Sequence, residues 1–432
     1  MTCIAIAGSI VQTFTWYASR LGMHTVGDEP TDNTHVRGWM ATQSNQSYSR
    51  TAPPSLSWLA YVRAYWAYRP QGKRDLRLDL LRGFCICVMV IDHIGGLSPL
   101  RAITGGNNFF VSAAEGFVFI SGLLLGETYR KLIARDGFRA VLVKAFQRAW
   151  KLYVLTFVLT IGLAYGAWLA GLSWVGPDDL FAPFDFALRV LTLRRSYLFT
   201  DILVMYTLLI VGAPLVLWLL NRGWTWALLV GSWALWLAYQ VSPYQASQPL
   251  PTIQAFHPAA WQIFFVHAMT LGYHRQRIAR WFWSLPHGRL TVGLGALFGL
   301  LLAVYLTRGA LLTPLVSGDI QAFLQAVFLK NPVRIGRIVA AAVVFPLAYL
   351  LVSYCWRPIQ ATLGWLLLPL GQHSLYSYTM HLPLLILFAC LFGWPAGATL
   401  AEQLVNAAIQ LAALLCIWLM IRRRFLFKVV PH

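Results

Sequence analysis

Charge is what this sequence has least of. Only 11% of its 432 residues are Asp, Glu, Lys or Arg, against roughly a quarter in an average soluble domain. Acids are scarcer still, 15 against 34 bases. With 58% hydrophobic residues, such a chain does not make a water-soluble globule and reads as an all-α integral membrane protein. Cysteine pairs are missing too. Cys3, Cys85, Cys87, Cys355, Cys390 and Cys416 include no C-x-x-C, and most stand inside apolar runs, so neither a disulfide framework nor a metal site is expected. There is no basic domain to account for the net charge of +19; Lys and Arg are scattered between apolar runs, so nucleic acid is not an expected partner. The opening stretch MTCIAIAGSIVQTFTWYASRLGM lacks the basic start of a secretory signal. Residues 1–72 read as a poorly structured cytosolic extension, 73–425 as the membrane domain and 426–432 as a cytosolic tail.

What the chain has in abundance is apolar runs. A span needs about 20 apolar residues, and sorting by length gives about ten transmembrane helices, at 79–98, 108–127, 148–171, 200–220, 224–242, 258–274, 290–307, 335–354, 373–393 and 403–421. Trp and Tyr, 19 and 18 in number, suit interfacial belts. Alternating the connections collects Arg130, Lys131, Arg135, Arg139, Lys144, Arg148, Lys151, the arginines around 275–289 and the tail Arg422, Arg423, Arg424 on the side of the N-terminus. The excess of basic residues on that side puts both termini in the cytosol of a cell-membrane protein. The outer loops 172–199 and 243–257, with Trp174, Asp178, Asp179, Asp185 and Tyr244, suit a mouth and are too short for a domain. No internal repeat is visible, although a transporter made of inverted repeats would be expected to show one.

The stretch RDLRLDLLRGFCICVMVIDHIGG, Arg74 to Gly96, sets ionisable groups inside the first span. Arg82 and His93 are eleven residues apart, which on a helix is one face and about 16 Å. Asp79 stands at i,i+3 spacing from Arg82. Asp92 lies about 100° from His93 around the helix. Glu115, on the returning second span, comes to a similar depth as His93, so a polar cavity lined by the first spans is expected, with imidazole and carboxylate meeting there. Ionisable groups at that depth are costly and mark functional sites. The bland alternative is a snorkelling Arg82 and a buried structural network.

Several ordered segments resemble the OpgC-type glucan succinyltransferases of the membrane acyltransferase type-3 superfamily: LDLLRGFCICVMVIDH, AAEGFVFISGLLLG, RAWKLYVL, TDILVMYTLLIVGAP, FHPAAWQIFF and LGQHSLYSYTMHLP, within residues 75 to 425. The resemblance implies a ten-span core and transfer of an acyl group from cytosolic acyl-CoA, either succinyl-CoA or acetyl-CoA, to a hydroxyl of an envelope glucan or polysaccharide. Acyl-CoA is then a co-substrate, with no permanent cofactor and no metal. His93 is the implied catalytic residue, with Arg82 on the donor side. An alcohol attacks a thioester poorly, so His93 is expected to act as general base, oriented by Glu115 or Asp92, or else to carry the acyl group transiently. Arg82, with cytosolic Arg148 and Lys151, is expected to attract CoA phosphate. Asp201, Tyr206, Trp261, Gln262 and His381 are weaker candidates for substrate contact, and Arg334 and Arg337 read most simply as snorkelling. The competing class is a proton-coupled exporter of a sugar or lipid-linked precursor, whose relay would use the same acids and histidines. A reporter active only in the cytosol is expected to be active when fused after Lys428 and silent within 243–257; the reverse result overturns this topology.

Overall fold

The computed structural model describes residues 65–430 except 71, 73, 173, 175–176, 198, 243–254, 315–317 and 394–396. The extension expected over 1–72 therefore lies almost wholly outside the described residues. Every regular element among the described residues is helical: α1 (Leu76–Ile94), α2 (Pro99–Ile103), α3 (Ala113–Leu169), α4 (Pro177–Phe181), α5 (Pro183–Leu191), α6 (Asp201–Asn221), α7 (Thr225–Val241), α8 (Pro258–Tyr273), α9 (Arg275–Ser284), α10 (His287–Leu306), α11 (Ile320–Phe328), α12 (Ile335–Tyr354), α13 (Trp356–Gln372), α14 (Ser374–Phe392) and α15 (Leu400–Arg422). Six of them, α3, α6, α10, α12, α14 and α15, are long and apolar enough to cross a membrane. This is a membrane protein. Helix α1 falls short of that measure because it carries Arg77, Asp79, Arg82 and Asp92, and α7 and α8 because they are only 17 and 16 residues long.

Two expected spans, 108–127 and 148–171, fall in α3 on either side of a kink. Helix α3 runs for 57 residues and is broken only at Gly137, whose φ of 79° needs a residue without Cβ. The kink sets apart two helical segments, 113–136 and 138–169, each long enough at about 1.5 Å per residue to cross a core of about 30 Å, and the basic stretch between the expected second and third spans is helical on both sides of it. A second difference is α13, which lies between the expected spans 335–354 and 373–393. Arg357, Pro358 and Gln360 at its start and Pro369 near its end hide the helix from a search for long apolar runs.

Helix α1 sits against α3, α12, α13, α14 and α15. Its contact with α13 is backbone to backbone: a Cβ on Gly371 would lie 1.8 Å from the Asp79 carbonyl oxygen, and one on Gly83 would lie 1.9 Å from that of Leu367. Small residues permit this approach where packing, rather than hydrophobic burial, must hold helices together in lipid. Trp356, at the other end of α13, packs with Leu80 and meets the Tyr68 ring edge-on at 4.9 Å. Both ends of α13 thus rest near the N-terminal end of α1.

That end is tied by charge. The Asp75 carboxylate caps α1 and accepts from Arg77 Nε at 2.9 Å, Arg275 Nη2 at 2.6 Å and the Tyr349 hydroxyl at 3.1 Å. Burial favours its neutral form, but Arg77, Arg275 and Tyr349 outweigh burial and hold the carboxyl below its ordinary range. Asp79 does not pair with Arg82, as i,i+3 spacing suggested. It takes both donors of Arg74, at 2.5 and 2.8 Å, a two-point geometry that a single helical spacing cannot offer.

Replacing Gly371 by Leu is expected to destabilise the protein by at least about 1–3 kcal/mol, the usual cost of overpacking. Gly212→Leu, at a position with open space around it, is expected to change little. Thermal unfolding in detergent checks the pair, and equal midpoints would contradict the close crossing.

Candidate active site

Helix α1 ends at Ile94 because Gly95 and Gly96 turn the chain with φ of 82° and 78°. Two polar side chains of α15 receive that turn. Gln410 Nε2 donates to the Gly95 carbonyl at 2.8 Å, Ser98 Oγ donates to Gln410 Oε1 at 2.7 Å, and Asn406 Nδ2 donates to the Leu97 carbonyl at 2.9 Å. Backbone groups that lack water are thereby satisfied, and the last turn of α1, which bears His93, is held in place.

The His93 ring is gripped on two sides. Its Nδ1 lies 2.9 Å from Nε2 of His381 on α14, and the Phe199 ring stacks on it at 3.8 Å between centroids and 7° between planes. His381 is 1% exposed, and its Nδ1 contacts the carbonyl oxygen of Tyr378, one turn back on the same helix. Tyr378 also reaches forward: its hydroxyl donates to the Phe199 carbonyl at 2.7 Å. Phe199 has a φ of 65°, a left-handed conformation that a bulky residue holds only under tertiary constraint. His381, expected only as a substrate contact, is therefore the direct partner of His93.

Three turns earlier in α1, Arg82 turns into the bundle and does not snorkel. Its Nη2 donates to Ser374 Oγ on α14, and its guanidinium lies 5.7 Å from the Phe117 ring centre. From Arg82 to His93 is eleven residues and from Ser374 to His381 only seven; the four-residue difference, about 6 Å of rise, is spanned by the arginine side chain turning into the bundle. Arg82 Nε is buried without a hydrogen-bond partner among the described residues. Tyr206 and Arg148 act on Arg82 electrostatically. Tyr206, expected at the outer mouth, meets the Phe117 ring edge-on at 5.7 Å and so belongs to the arginine end. Arg148 and Lys151 are exposed on α3.

Glu115 does not orient His93. It is fully buried and paired with Arg337, itself 3% exposed, whose Nε donates to Glu115 Oε1 at 2.6 Å. Ser112 Oγ donates to its other oxygen. Arg337, read as snorkelling, is instead turned inward, and its Nη1 reaches the Phe109 and Phe328 carbonyls at 3.3 Å each. The physical reason is the burial of Glu115 at the start of α3: a carboxylate there needs a cation more than His93 needs a carboxylate.

Asp92 leaves Oδ1 buried and without a hydrogen-bond partner among the described residues. It lies in the field of Arg101 and Lys330, and Asp201 in that of Lys330. Lys330, in the loop after α11, donates to Asn107 Oδ1 at 2.6 Å; burial draws its ammonium below the ordinary lysine value, and Arg337 adds to that, against the pull of Glu115, Asp92 and Asp201. These groups gather at the His93 end. Trp261 and Gln262 do not: Trp261 is 1% exposed and packed on Phe256 and Phe264. Gln262 is spent on Ser232, donating to its carbonyl at 2.8 Å and accepting from its hydroxyl at 2.6 Å. Sequence reading missed Phe199, Tyr378, Lys330, Asn406 and Gln410. Asn406 and Gln410, polar residues four apart within an apolar run, were the one signal available.

A family model described as "OpgC protein" matches residues 74–425. The chain belongs to the OpgC family. No curated protein and no solved structure matches it. The matched range contains the site residues placed above, from Asp75 at the N-cap of α1 to Gln410 in α15.

Removing one partner of a buried pair costs about 3–5 kcal/mol. Arg337→Met is therefore expected to cost that much in detergent stability, and Glu115→Gln together with Arg337→Met much less than the sum of the two; strict additivity in this double-mutant cycle would contradict the pairing.

Proposed function

We propose that this protein is a membrane O-acyltransferase that moves a succinyl or acetyl group from cytosolic acyl-CoA to a hydroxyl of an extracytoplasmic glucan. Membership of the OpgC family supports a membrane-associated glucan-modifying transferase. The observation that carries the reading further is the state of His93: its ring is clamped and its Nδ1 occupied, while Nε2 makes no hydrogen bond within the described residues. A fixed imidazole with one open nitrogen inside an apolar bundle is what a general base for an uncharged hydroxyl requires.

In this reading the ten spans put both termini in the cytosol and the Arg82 end on the donor side. Arg82, Arg148 and Tyr206 hold anionic or polar groups of CoA, and the pantetheine arm runs the remaining distance, about 16 Å by helix rise, to bring the thioester to His93. Phe199, Asp92, Asp201 and Lys330 receive the acceptor sugar at the opposite end. The acceptor hydroxyl gives its proton to His93 Nε2 as its oxygen attacks the thioester carbonyl carbon. The carbon–sulfur bond then breaks, and the CoA thiolate takes the same proton back from Nε2. Protons balance, and neither a metal nor an acyl-enzyme is needed.

With labelled acyl-CoA and membranes holding equal amounts of folded protein, His93→Ala and His93→Gln are expected to lose about 10²–10⁴-fold in transfer to glucan, the usual worth of a general base. Arg82→Ala is expected to raise KM for acyl-CoA more than it lowers kcat. Undiminished acylation by His93→Ala would end the reading.

A further inference from the structure

We infer that His381 is a positioning residue: it selects the tautomer of His93 and shares the proton that His93 takes up, as an uncharged substitute for the carboxylate that usually backs a catalytic histidine. The inference rests on the general-base reading above and adds to it the partner through which the base works.

The hydrogen bonds assign themselves from one end. A backbone carbonyl only accepts, so the His381 Nδ1 that faces the Tyr378 oxygen carries a hydrogen. A neutral imidazole has one N–H, which leaves His381 Nε2 as a lone pair. That lone pair lies 2.9 Å from His93 Nδ1, so His93 Nδ1 carries the hydrogen and His93 Nε2 is the basic nitrogen. The chain Tyr378 carbonyl, His381, His93 thus ends in a lone pair aimed away from His381 and free to take a proton. With Nδ1 unpartnered, either tautomer would form, and one of them presents an N–H to the acceptor hydroxyl.

The relay also holds charge. When His93 Nε2 takes the hydroxyl proton, the imidazolium's Nδ1–H still points at His381 Nε2, and the proton between the rings can shift towards His381. The new cation then donates from Nδ1 to the Tyr378 carbonyl, so the charge spreads over two rings and ends on a backbone dipole. Neither ring of the pair carries a charge before the reaction. A carboxylate in the place of His381 would have to be buried ionised, and would favour the protonated, inactive form of His93.

Tyr378 couples the relay to the ring's orientation. Its carbonyl fixes His381 and its hydroxyl fixes the Phe199 backbone, whose ring stacks on His93. Pro383 lies two residues beyond His381 and removes one donor from the helical ladder, so the local geometry depends on these side-chain contacts more than on the helix alone.

The test is a set of substitutions at His381 measured for kcat, KM and pH dependence with labelled acyl-CoA. In His381→Gln the amide oxygen can stand at the position of Nε2 and accept from His93; in His381→Met nothing can. His381→Met is expected to lose about 10²–10⁴-fold in kcat with KM for acyl-CoA within threefold, by analogy with loss of the orienting group of a triad. His381→Gln is expected to recover at least tenfold of that loss. His381→Glu is expected to move the acidic limb of the kcat profile to higher pH by at least one unit, because a carboxylate stabilises the imidazolium; a merely structural role would not move that limb. If His381→Met keeps kcat within threefold, or His381→Gln is no better than Met at equal folded amount, the inference falls. Where Met does not fold, Gln and Glu decide it, since an unmoved acidic limb in Glu together with wild-type kcat in Gln also overturns it. Loss of activity in His93→Ala with full activity in His381→Met would sink this inference alone, whereas activity in His93→Ala would sink the reading beneath it.

Discussion

Hydrocarbon offers no hydrogen bonds, so the polar groups that end and cap the helices of this bundle must find partners within the protein. That constraint settles the position of α1. Its N-terminal cap is held by Asp75 with Arg77, Arg275 and Tyr349, and its far end by Gln410 and Asn406 of α15. Between these ends the Gly83 and Gly371 crossing removes any room for sliding. A helix pinned at both termini and at one crossing has a defined rotation, and rotation is what aims Arg82 and His93.

The pairing of α1 with α14 then follows. Arg82 meets Ser374 and His93 meets His381, so two helices distant in sequence present their polar groups along one seam. Glu115 and Arg337 close a separate pair between α3 and α12. The separation matters chemically. A carboxylate committed to an arginine has no claim on the imidazole, and the side chain that meets His93 Nδ1 is another imidazole, that of His381.

Much of this was legible in the residues. Scarce charge and long apolar runs implied a helical membrane protein, and the eleven-residue spacing implied that Arg82 and His93 share a face. The family followed from ordered motifs along almost the whole membrane domain. Less legible was anything that depends on a second element. Helix α13 carries no long apolar run, because its Pro, Arg and Gln break the pattern, although the helix lies against α1 by backbone contact. The role expected of Glu115 came from depth alone, and depth does not say which way a side chain points.

What the sequence by itself determined is therefore periodic or compositional: helices, their apolar lengths, the face shared by Arg82 and His93, and the family. Tertiary structure alone decided the partners. His381 stands 288 residues from His93, and no spacing rule connects them. Helical pitch relates residues within one element, whereas a hydrogen bond between elements depends on crossing, rotation and depth together, and those are set by the sum of many contacts spread along the chain.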